Sequence, residues 1–430
     1  MKGLLISAPS SGAGKTIVTL GLLRALRNRG MNVAAAKSGP DYIDPRFHEA
    51  ATGSTSVSLD AWAMSGDEIR ARVGRIGAEF LVVEGAVGLL DGAPDGRGSA
   101  ADLASVLGAP VVMVLDAARQ AGSAALPLAG ARVLRSDLTI VGAILNRVGS
   151  DRHARIAGQA IENAGFSNFG GIARNEALTT PSRHLGLVQA EERDDLEAFI
   201  QAAAEIIEAT LNIDALIDAA APLITDGAIT PVPPFGQRIA VARDKAYAFS
   251  YPHMLSDWRA AGAEVRFFSP LANEEPDANV DAVFLPGGYP ELNGGVLATA
   301  ETFKAGMRSA ADRGARVYGE CGGYMTLGRG IVDKDGARHE MLGLLPLETS
   351  FATRKLHLGY RNLTTTNTPW LPAQINAHEF HYATIAEQGE APGLFAAKDA
   401  EGTDLGEIGL KVGQVAGSFA HIIAPDLQNP

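Results

Sequence analysis

The sequence predicts an α/β protein with two domains, the first of which is a doubly wound parallel sheet. Across residues 1–220, short apolar runs alternate with helix-forming stretches, as expected of parallel strands that are buried on both faces. Residues 221–236 are rich in proline and predict a linker. A second alternation of apolar and helical stretches follows, and it predicts another α/β domain over residues 237–430.

Composition and charge limit the classes of function. The chain has 430 residues, which allows two or three domains at ~150 residues each. Hydrophobic residues make up 46% of the chain and charged residues 20%, which is enough for a large core. The formal net charge of −12 argues against a nucleic-acid partner, whose binding needs a broad basic face. A local basic pocket for an anionic substrate stays open.

The apolar runs and the cysteine content predict a cytoplasmic protein. The first apolar run is short and is broken by Pro9, so we expect no signal peptide. No apolar run approaches the ~20 residues of a membrane span, so no membrane partner is expected. Cys321 is the single cysteine, which excludes an intrachain disulfide and is compatible with a reducing compartment.

The first chemical centre is a predicted phosphate-binding loop between an apolar run and a helix-forming stretch. Its glycines let backbone N–H groups surround phosphate oxygens, and the helix N-terminus adds partial positive charge. Lys15 is expected to reach the outer phosphates and Thr16 to ligate Mg²⁺. Pro9 stands where the common pattern has glycine, and the alternative is a turn with a chance Gly-Lys-Thr. The predicted ATP-binding residues of this loop are Ser11, Gly12, Ala13, Gly14, Lys15 and Thr16.

Further polar residues follow the neighbouring predicted strands. Asp41 comes after the apolar run 31–36 and Glu84 after the run 80–83, so both are expected beside the loop. We predict that Thr16, Asp41 and Glu84 hold or surround Mg²⁺. Asn146, after the run 140–145, is predicted to bind ATP, and residues 192–220 predict one closing helix.

The second chemical centre is a tight turn around Cys321. Glycines on both sides permit a strained strand-to-helix turn that exposes the side chain at its apex, as in a nucleophile elbow. A helix N-terminus behind Cys321 would favour the thiolate. His421, on a late predicted strand, is the candidate base, and the turn at Gly287 and Gly288 is the candidate oxyanion site. The alternative is a buried structural cysteine.

The histidines of the second domain give no strong metal signal. His378, Glu379 and His381 are close in sequence, but Tyr382 stands where the H-E-x-x-H pattern requires its second histidine. We expect substrate contact or a hydrogen-bonded structural role for these residues rather than a transition metal.

Together these motifs resemble the cobyrinic or hydrogenobyrinic acid a,c-diamide synthases, which are glutamine-dependent enzymes of corrinoid biosynthesis. The resemblance covers nearly the whole chain, and the order of loop, Pro-Asp-x-x-Asp-Pro block and distant cysteine domain is highly specific. Its motifs are residues 8–16, 39–45, 84–92 and 183–187 in the first domain, and 285–291, 320–325, 358–361 and 378–382 in the second.

The resemblance implies a dethiobiotin-synthetase-like ATP domain followed by a class I glutamine amidotransferase domain. It also accounts for Pro9, because relatives of the first domain carry the shorter loop Ser-Gly-x-Gly-Lys-Thr. Many class I glutaminases end in His-x-Glu, whereas His421 is followed by Ile422 and Ile423, so a Cys–His dyad without a third member is implied. A homodimer is compatible with the relatives of the first domain.

The implied reaction activates a carboxylate with ATP and Mg²⁺ and amidates it with ammonia from glutamine or from solution. Lys37, Asp44 and Asp91 would line the side that receives the corrinoid tetrapyrrole, and the two aspartates would order the acyl phosphate or deprotonate ammonium. Whether hydrogenobyrinic or cobyrinic acid is preferred stays open. The alternatives are a cobyric acid synthase, which amidates other corrin side chains, and a partition-type ATPase switch, which usually has a second lysine where this chain has Ser10.

Overall fold

The computed structural model describes residues 1–175, 178, 182–183, 186–187 and 189–426. These residues form two compact units, Met1–Ile229 and Thr230–Pro430. Of the resemblance motifs, His184 and Leu185 lie outside the described residues.

The first unit alternates strands with helices along the chain. Its strands are β1 (Lys2–Ser7), β2 (Val33–Ser38), β3 (Val57–Leu59), β4 (Phe80–Glu84), β5 (Val111–Asp116), β6 (Ile140–Val148), β7 (Ser167–Ala173), β8 (Ser182–Arg183), β9 (Gly186–Leu187) and β10 (Ala221–Pro222). Its helices are α1 (Lys15–Asn28), α2 (Asp44–Thr52), α3 (Gly66–Gly74), α4 (Ala100–Leu107), α5 (Leu126–Leu134), α6 (Asp151–Asn163), α7 (Leu196–Thr210) and α8 (Ile213–Asp218).

The main sheet of this unit has the order β3-β2-β4-β1-β5-β6-β7, and all of these neighbours are parallel. Strands β2 and β4 are buried throughout, because helices cover both faces of such a sheet. This order confirms the predicted doubly wound parallel sheet. The register pairs Lys37 with Glu84 and Asp116 with Asn146, so these polar residues lie at the carboxyl edge, where open α/β sheets bind ligands.

Two details differ from the sequence expectations. The predicted closing helix over 192–220 is wrong, because α7 and α8 are separate helices: Asn212 accepts a hydrogen bond from the Ala215 backbone N–H and so begins α8. The stretch 221–236, predicted as a linker, begins with β10, which pairs antiparallel with β1.

The second unit combines a mostly parallel sheet with antiparallel strands. Its strands are β11 (Arg238–Ala242), β12 (Glu264–Phe268), β13 (Ala282–Leu285), β14 (Arg316–Glu320), β15 (Gly330–Val332), β16 (Arg338–Glu340), β17 (Leu347–Ser350), β18 (His357–Thr365), β19 (Gln374–His381), β20 (Thr384–Gln388), β21 (Phe395–Asp399), β22 (Asp404–Ile408), β23 (Leu410–Val412), β24 (Val415–Ser418) and β25 (His421–Pro425). Its helices are α9 (Pro252–Ala260), α10 (Gly294–Thr299), α11 (Glu301–Asp312) and α12 (Gly322–Leu327).

The central sheet of the second unit positions its candidate chemistry. It has the order β12-β11-β13-β14-β24-β23, and β14 lies parallel to both of its neighbours. Cys321 follows β14 directly, and Glu320 pairs with Ser418 at the end of β24. The chain then enters β25, whose first residue, His421, pairs with His378 of β19. Residues far apart in sequence therefore meet at the carboxyl end of β14.

A cluster of buried aromatic rings packs on one face of the central sheet and stabilises this unit. Phe235 packs against Trp258, Phe284 and Tyr318 with ring centroids 4.7–5.9 Å apart. These side chains are almost fully buried, and each such ring contributes a large apolar area to the core. Among the residues that the structure describes, none of the helices has the length and apolar character needed to span a bilayer.

Candidate active sites

The phosphate-binding loop connects β1 to α1. Gly14 precedes the helix with φ 95°, and Gly12 has φ 80°, conformations that glycine adopts without strain. The Asn146 Nδ2 atom donates a hydrogen bond to the Ala13 carbonyl at 2.8 Å. A Cβ atom on Gly14 would lie 2.2 Å from the same Nδ2 atom. Asn146 therefore holds the loop from the carboxyl edge of the sheet, while Ser11 is exposed to solvent.

Beside the loop lies a cluster of buried polar side chains. The Thr16 Oγ1 atom donates to Glu84 Oε1 at 2.7 Å and lies 3.4 Å from Asp44 Oδ2. The Lys37 Nζ atom donates to Asp44 Oδ2 at 2.6 Å and to Glu84 Oε1 at 3.0 Å. Lys37, which the sequence places toward a substrate, is thus bonded to the predicted metal ligand Glu84, and it joins Asp44 to the same cluster.

Burial and charge act in opposite directions on the ionisation of this cluster. Burial would lower the pKa of Lys37, but Asp44 and Glu84 raise that pKa above its ordinary value. Burial would raise the pKa of Glu84, but Lys37 and His48 hold that pKa well below its usual range. Burial and the Asp41 charge raise the pKa of Asp44 to about 7. A charged Lys37–Glu84 pair is therefore the stable core of the cluster.

His48 is a member of the cluster that sequence reasoning missed. Its Nε2 atom lies 2.7 Å from Glu84 Oε2, and its Nδ1 atom lies 3.3 Å from Ser56 Oγ. This contact occupies the second oxygen of Glu84 and leaves the first directed at Thr16 and Lys37. A signal was present, because Asp44 and His48 are four residues apart and share a face of α2.

Asp41 lies at the edge of the cluster, in the turn that precedes α2. Its Oδ1 atom accepts the backbone N–H groups of Ile43 and Asp44 at 2.9 and 3.0 Å. Its Oδ2 atom is 3.7 Å from Lys37 Nζ. One carboxylate oxygen of Asp41 is therefore committed to the turn, and the other faces the same cation as Asp44 and Glu84.

The loop after β4 contacts the phosphate-binding loop. The Lys15 ammonium donates to the carbonyl of Val87, a β-branched residue with a φ of 39° that such residues rarely adopt. Burial lowers the pKa of Lys15. Asp91 is exposed and accepts the Gly88 N–H at 2.9 Å, so it closes the turn of this loop. Asp91 is the most accessible of the three predicted substrate residues.

The oxygen donors around Thr16 fit a magnesium ion. Hydroxyl and carboxylate oxygens are the ligands that Mg²⁺ prefers, and those of Thr16, Asp44 and Glu84 lie within hydrogen-bond range of one another or of Lys37. The Lys37 ammonium forms ion pairs with the carboxylates of Asp44 and Glu84, so the oxygens of these two residues already surround a positive charge.

In the second unit, Cys321 lies on a strained turn between β14 and α12. Its φ of 47° and ψ of −106° fall outside the regions that L-residues favour, which costs about 1–3 kcal/mol. The turn is crowded, because a Cβ atom on Gly323 would lie 1.9 Å from the Leu285 carbonyl oxygen. A side chain at position 323 would therefore clash with this backbone, and Cys321 is itself 4% exposed.

His421 and the Gly287 turn lie against Cys321. A Cβ atom on Gly287 would be 2.3 Å from His421 Cε1 and 3.3 Å from Cys321 Cβ. Gly288 has φ 156° and its N atom approaches Gly322. The predicted catalytic and oxyanion residues are thus brought together, and glycine at 287 is what leaves room for the imidazole.

A buried carboxylate that sequence reasoning missed completes this group. Glu320 Oε2 lies 3.6 Å from His421 Nδ1, and Glu320 Oε1 accepts the Ile422 N–H at 2.9 Å. Burial alone would lower the pKa of His421, but Cys321 and Glu320 raise it to about 10. The signal in the sequence was an acidic residue at the end of an otherwise buried strand.

Within the described residues, His357, Glu379 and His381 have ligand atoms close enough to share a metal ion. These side chains are also hydrogen-bonded. Arg361 donates to Glu379 Oε2 at 2.8 Å, and the two ring nitrogens of His381 face the Ala383 carbonyl and Glu379 Oε1. The predicted hydrogen-bonded role of Glu379 and His381 is compatible with these contacts.

Comparisons with known proteins agree on both units. The family model of the CobQ/CobB/MinD/ParA nucleotide binding domain matches residues 4–188, and that of the CobB/CobQ-like glutamine amidotransferase domain matches residues 238–427. The first unit is therefore a nucleotide-binding domain and the second a glutamine amidotransferase domain.

Relatives that match the full length of the chain identify its family more specifically. Proteins named hydrogenobyrinate a,c-diamide synthase from a Sinorhizobium species and from Rhizobium meliloti (strain 1021) are 53% and 52% identical to this chain, over 98% of it and 99% of their own length. The protein of that name from Brucella anthropi is 53% identical over 98% of both chains. The chain belongs to the hydrogenobyrinate a,c-diamide synthase family.

Proposed function

We propose that this protein converts hydrogenobyrinate to its a,c-diamide, using ATP to activate each carboxylate and glutamine to supply each nitrogen. The observation that carries the proposal is the presence, in one chain, of a phosphate loop beside an oxygen-rich cluster and of a buried Cys–His pair on a strained elbow. The names of the full-length relatives supply the substrate class.

Activation is needed because a carboxylate does not react with ammonia at neutral pH. In the proposed sequence, a carboxylate oxygen of the substrate attacks the γ-phosphorus of ATP, and ADP leaves. Ammonia then attacks the acyl carbon, and inorganic phosphate leaves with that carboxylate oxygen. Lys15 neutralises charge on the transferring phosphoryl group.

Thr16, Glu84 and Asp44 would hold Mg²⁺, with Asp41 and Lys37 around them. The ion, when bound, neutralises the charge that develops on the phosphate oxygens. His48 fixes the orientation of Glu84 through the second carboxylate oxygen. Asp91, exposed on the adjoining loop, is placed to face the corrinoid, while Asn146 supports the ATP-binding loop.

At the second centre, the Cys321 sulfur attacks the glutamine carboxamide and His421 gives its proton to the departing ammonia. A thioester with Cys321 forms, and water hydrolyses it to glutamate. The turn at Gly287 and Gly288 would supply backbone N–H groups to the oxyanion. The ammonia is consumed at the ATP site. A homodimer stays a prediction.

Gly287→Ala tests the fit between this turn and the imidazole. The added methyl group would overlap His421, so we expect glutamine-dependent amidation to fall by about 100-fold, as a misplaced catalytic group commonly causes. Amidation with added ammonium should continue. Gly295→Ala is the control, because its methyl group meets no atom within 4 Å. Unchanged glutamine kinetics in Gly287→Ala would contradict this geometry.

The product distinguishes the proposal from the two alternatives. The wild-type protein is incubated with ATP, glutamine and either hydrogenobyrinate or its a,c-diamide, and the products are analysed by mass spectrometry. We expect two amidations of hydrogenobyrinate and none of the diamide. Amidation of the diamide would indicate the cobyric acid synthase reaction. ATP turnover that needs a protein or DNA partner and no corrinoid would indicate the ATPase switch.

A further inference from the structure

The predicted Cys321–His421 dyad does not include Glu320, although the carboxylate of Glu320 lies beside these two residues. Glu320 ends β14, directly before the nucleophile, and is 1% exposed. A charged group so deeply buried is costly unless other groups compensate it. A buried acid next to a catalytic histidine therefore calls for a physical reason.

The geometry places Glu320 and Cys321 around the same imidazole ring. Glu320 Oε2 is 3.6 Å from His421 Nδ1, and both side chains are 2% exposed. The edge of the ring that carries Cε1 and Nε2 faces Gly287, next to Cys321. A separation of 3.6 Å is that of an ion pair, and such contacts often shorten to hydrogen bonds when the substrate binds.

The second oxygen of Glu320 fixes the direction of the carboxylate. Glu320 Oε1 accepts the backbone N–H of Ile422 at 2.9 Å, so the carboxylate is tied to the residue that follows His421. Because β14 and β24 are paired through Glu320 and Ser418, the backbone on this side is also held by the central sheet. The carboxylate thus has one orientation, in which Oε2 points at the imidazole.

We propose that Glu320 is the third member of the glutaminase group, a positioning residue that orients His421 and stabilises its protonated form. It takes the role that a glutamate two residues after the histidine has in many related enzymes, but it comes from the strand before the nucleophile. The inference rests on the proposed glutaminase reaction at Cys321 and deepens it.

The surrounding charges agree with a protonated His421. The groups that face His421 are Cys321, Glu320 and, from β19, His378. Burial would lower the pKa of His421, but Cys321 and Glu320 raise it to about 10. Burial, and then the positive charge of His421, lower the pKa of His378 to about 3, so His378 is neutral. Burial and the negative charge of Glu320 raise the pKa of Tyr318.

Glu320→Gln separates positioning by charge from a purely structural role. The amide keeps the shape of the side chain and an oxygen for the Ile422 N–H, but it removes the charge next to His421. We expect kcat for glutamine hydrolysis to fall at least about 100-fold, with little change in KM. The loss of the carboxylate lowers the pKa of His421, so the basic limb of the pH profile should move to lower pH.

Glu320→Asp and Glu390→Gln complete the test. Glu320→Asp keeps the charge and should retain more of kcat and a basic limb near that of the wild type. Glu390→Gln removes an exposed carboxylate of the same unit and should change nothing. Wild-type kcat and pH profile in Glu320→Gln, or equal loss at every pH in the Gln and Asp variants, would overturn the proposal.

A measurement on the unsubstituted protein tests the charge of His421 without any change at Glu320. In nitrogen-15 histidine NMR, with His421 assigned by comparison with His421→Asn, the ring should stay protonated well above neutral pH. Titration of His421 near the ordinary histidine pKa would overturn the role of Glu320. Absence of glutamine hydrolysis in the wild type would instead refute the proposed function.

Discussion

Cys321→Ala is expected to lose glutamine-dependent amidation by more than about 1,000-fold while keeping amidation with added ammonium. In the proposed mechanism the thiol forms a covalent bond to glutamine, and neither His421 nor Glu320 can replace it. Ammonium bypasses this step, because it enters the reaction after glutamine hydrolysis. The measurement is the rate of product formation with each nitrogen source, under saturating ATP and corrinoid.

Ser418→Ala is the matched control for this variant. Ser418 is buried next to the elbow and its hydroxyl accepts the Ala420 backbone N–H at 3.0 Å, yet no step of the proposed mechanism uses that hydroxyl. It should therefore keep most of the glutamine-dependent rate. If Cys321→Ala lost amidation equally with glutamine and with ammonium, the chain would not divide the reaction between two sites.

Lys15→Ala is expected to lose amidation from both nitrogen sources, by at least about 100-fold. Its ammonium is the only cationic side chain in the sequence of the phosphate loop, so its loss leaves the phosphoryl group without that positive charge. The same ammonium lies near the carboxylates of Glu84, Asp44 and Asp91. The measurement is ADP and product formation with glutamine and with ammonium.

Lys334→Ala controls for the loss of a lysine, because Lys334 is largely exposed and pairs only with its neighbour Asp335 among the contacts described. Full activity of Lys15→Ala with ammonium would remove the phosphate loop from carboxylate activation. Loss with glutamine alone would assign Lys15 to ammonia supply instead.

The parts of the fold that depend on local pattern could be predicted from the sequence. The loop at Ser11–Thr16 and the elbow at Cys321 are short segments whose glycines and flanking apolar runs indicate their conformation. The parallel sheet followed from apolar runs that are buried on both faces. The break between α7 and α8 did not, because it depends on the Asn212 backbone N–H bonding to the Phe169 carbonyl in β7.

The composition of the sites was harder to predict, because their members come from different strands. The sequence predicts Asp44 on the substrate side, whereas α2 places it within the buried cluster next to Thr16. His48 has no motif and acts through one contact with Glu84. Glu320 could not be found from the His-x-Glu pattern, because that pattern looks beyond His421 along the chain, whereas this carboxylate comes from β14.

In the proposed reaction, one chain phosphorylates a carboxylate and then replaces that phosphate with nitrogen from glutamine. The most direct measurement follows both atoms in one reaction, with oxygen-18 in the carboxylates of hydrogenobyrinate and nitrogen-15 in the glutamine amide. We expect nitrogen-15 in two carboxamides of the product and one oxygen-18 in inorganic phosphate for each amide formed. Unlabelled phosphate, or a product without nitrogen-15, would contradict this reaction sequence.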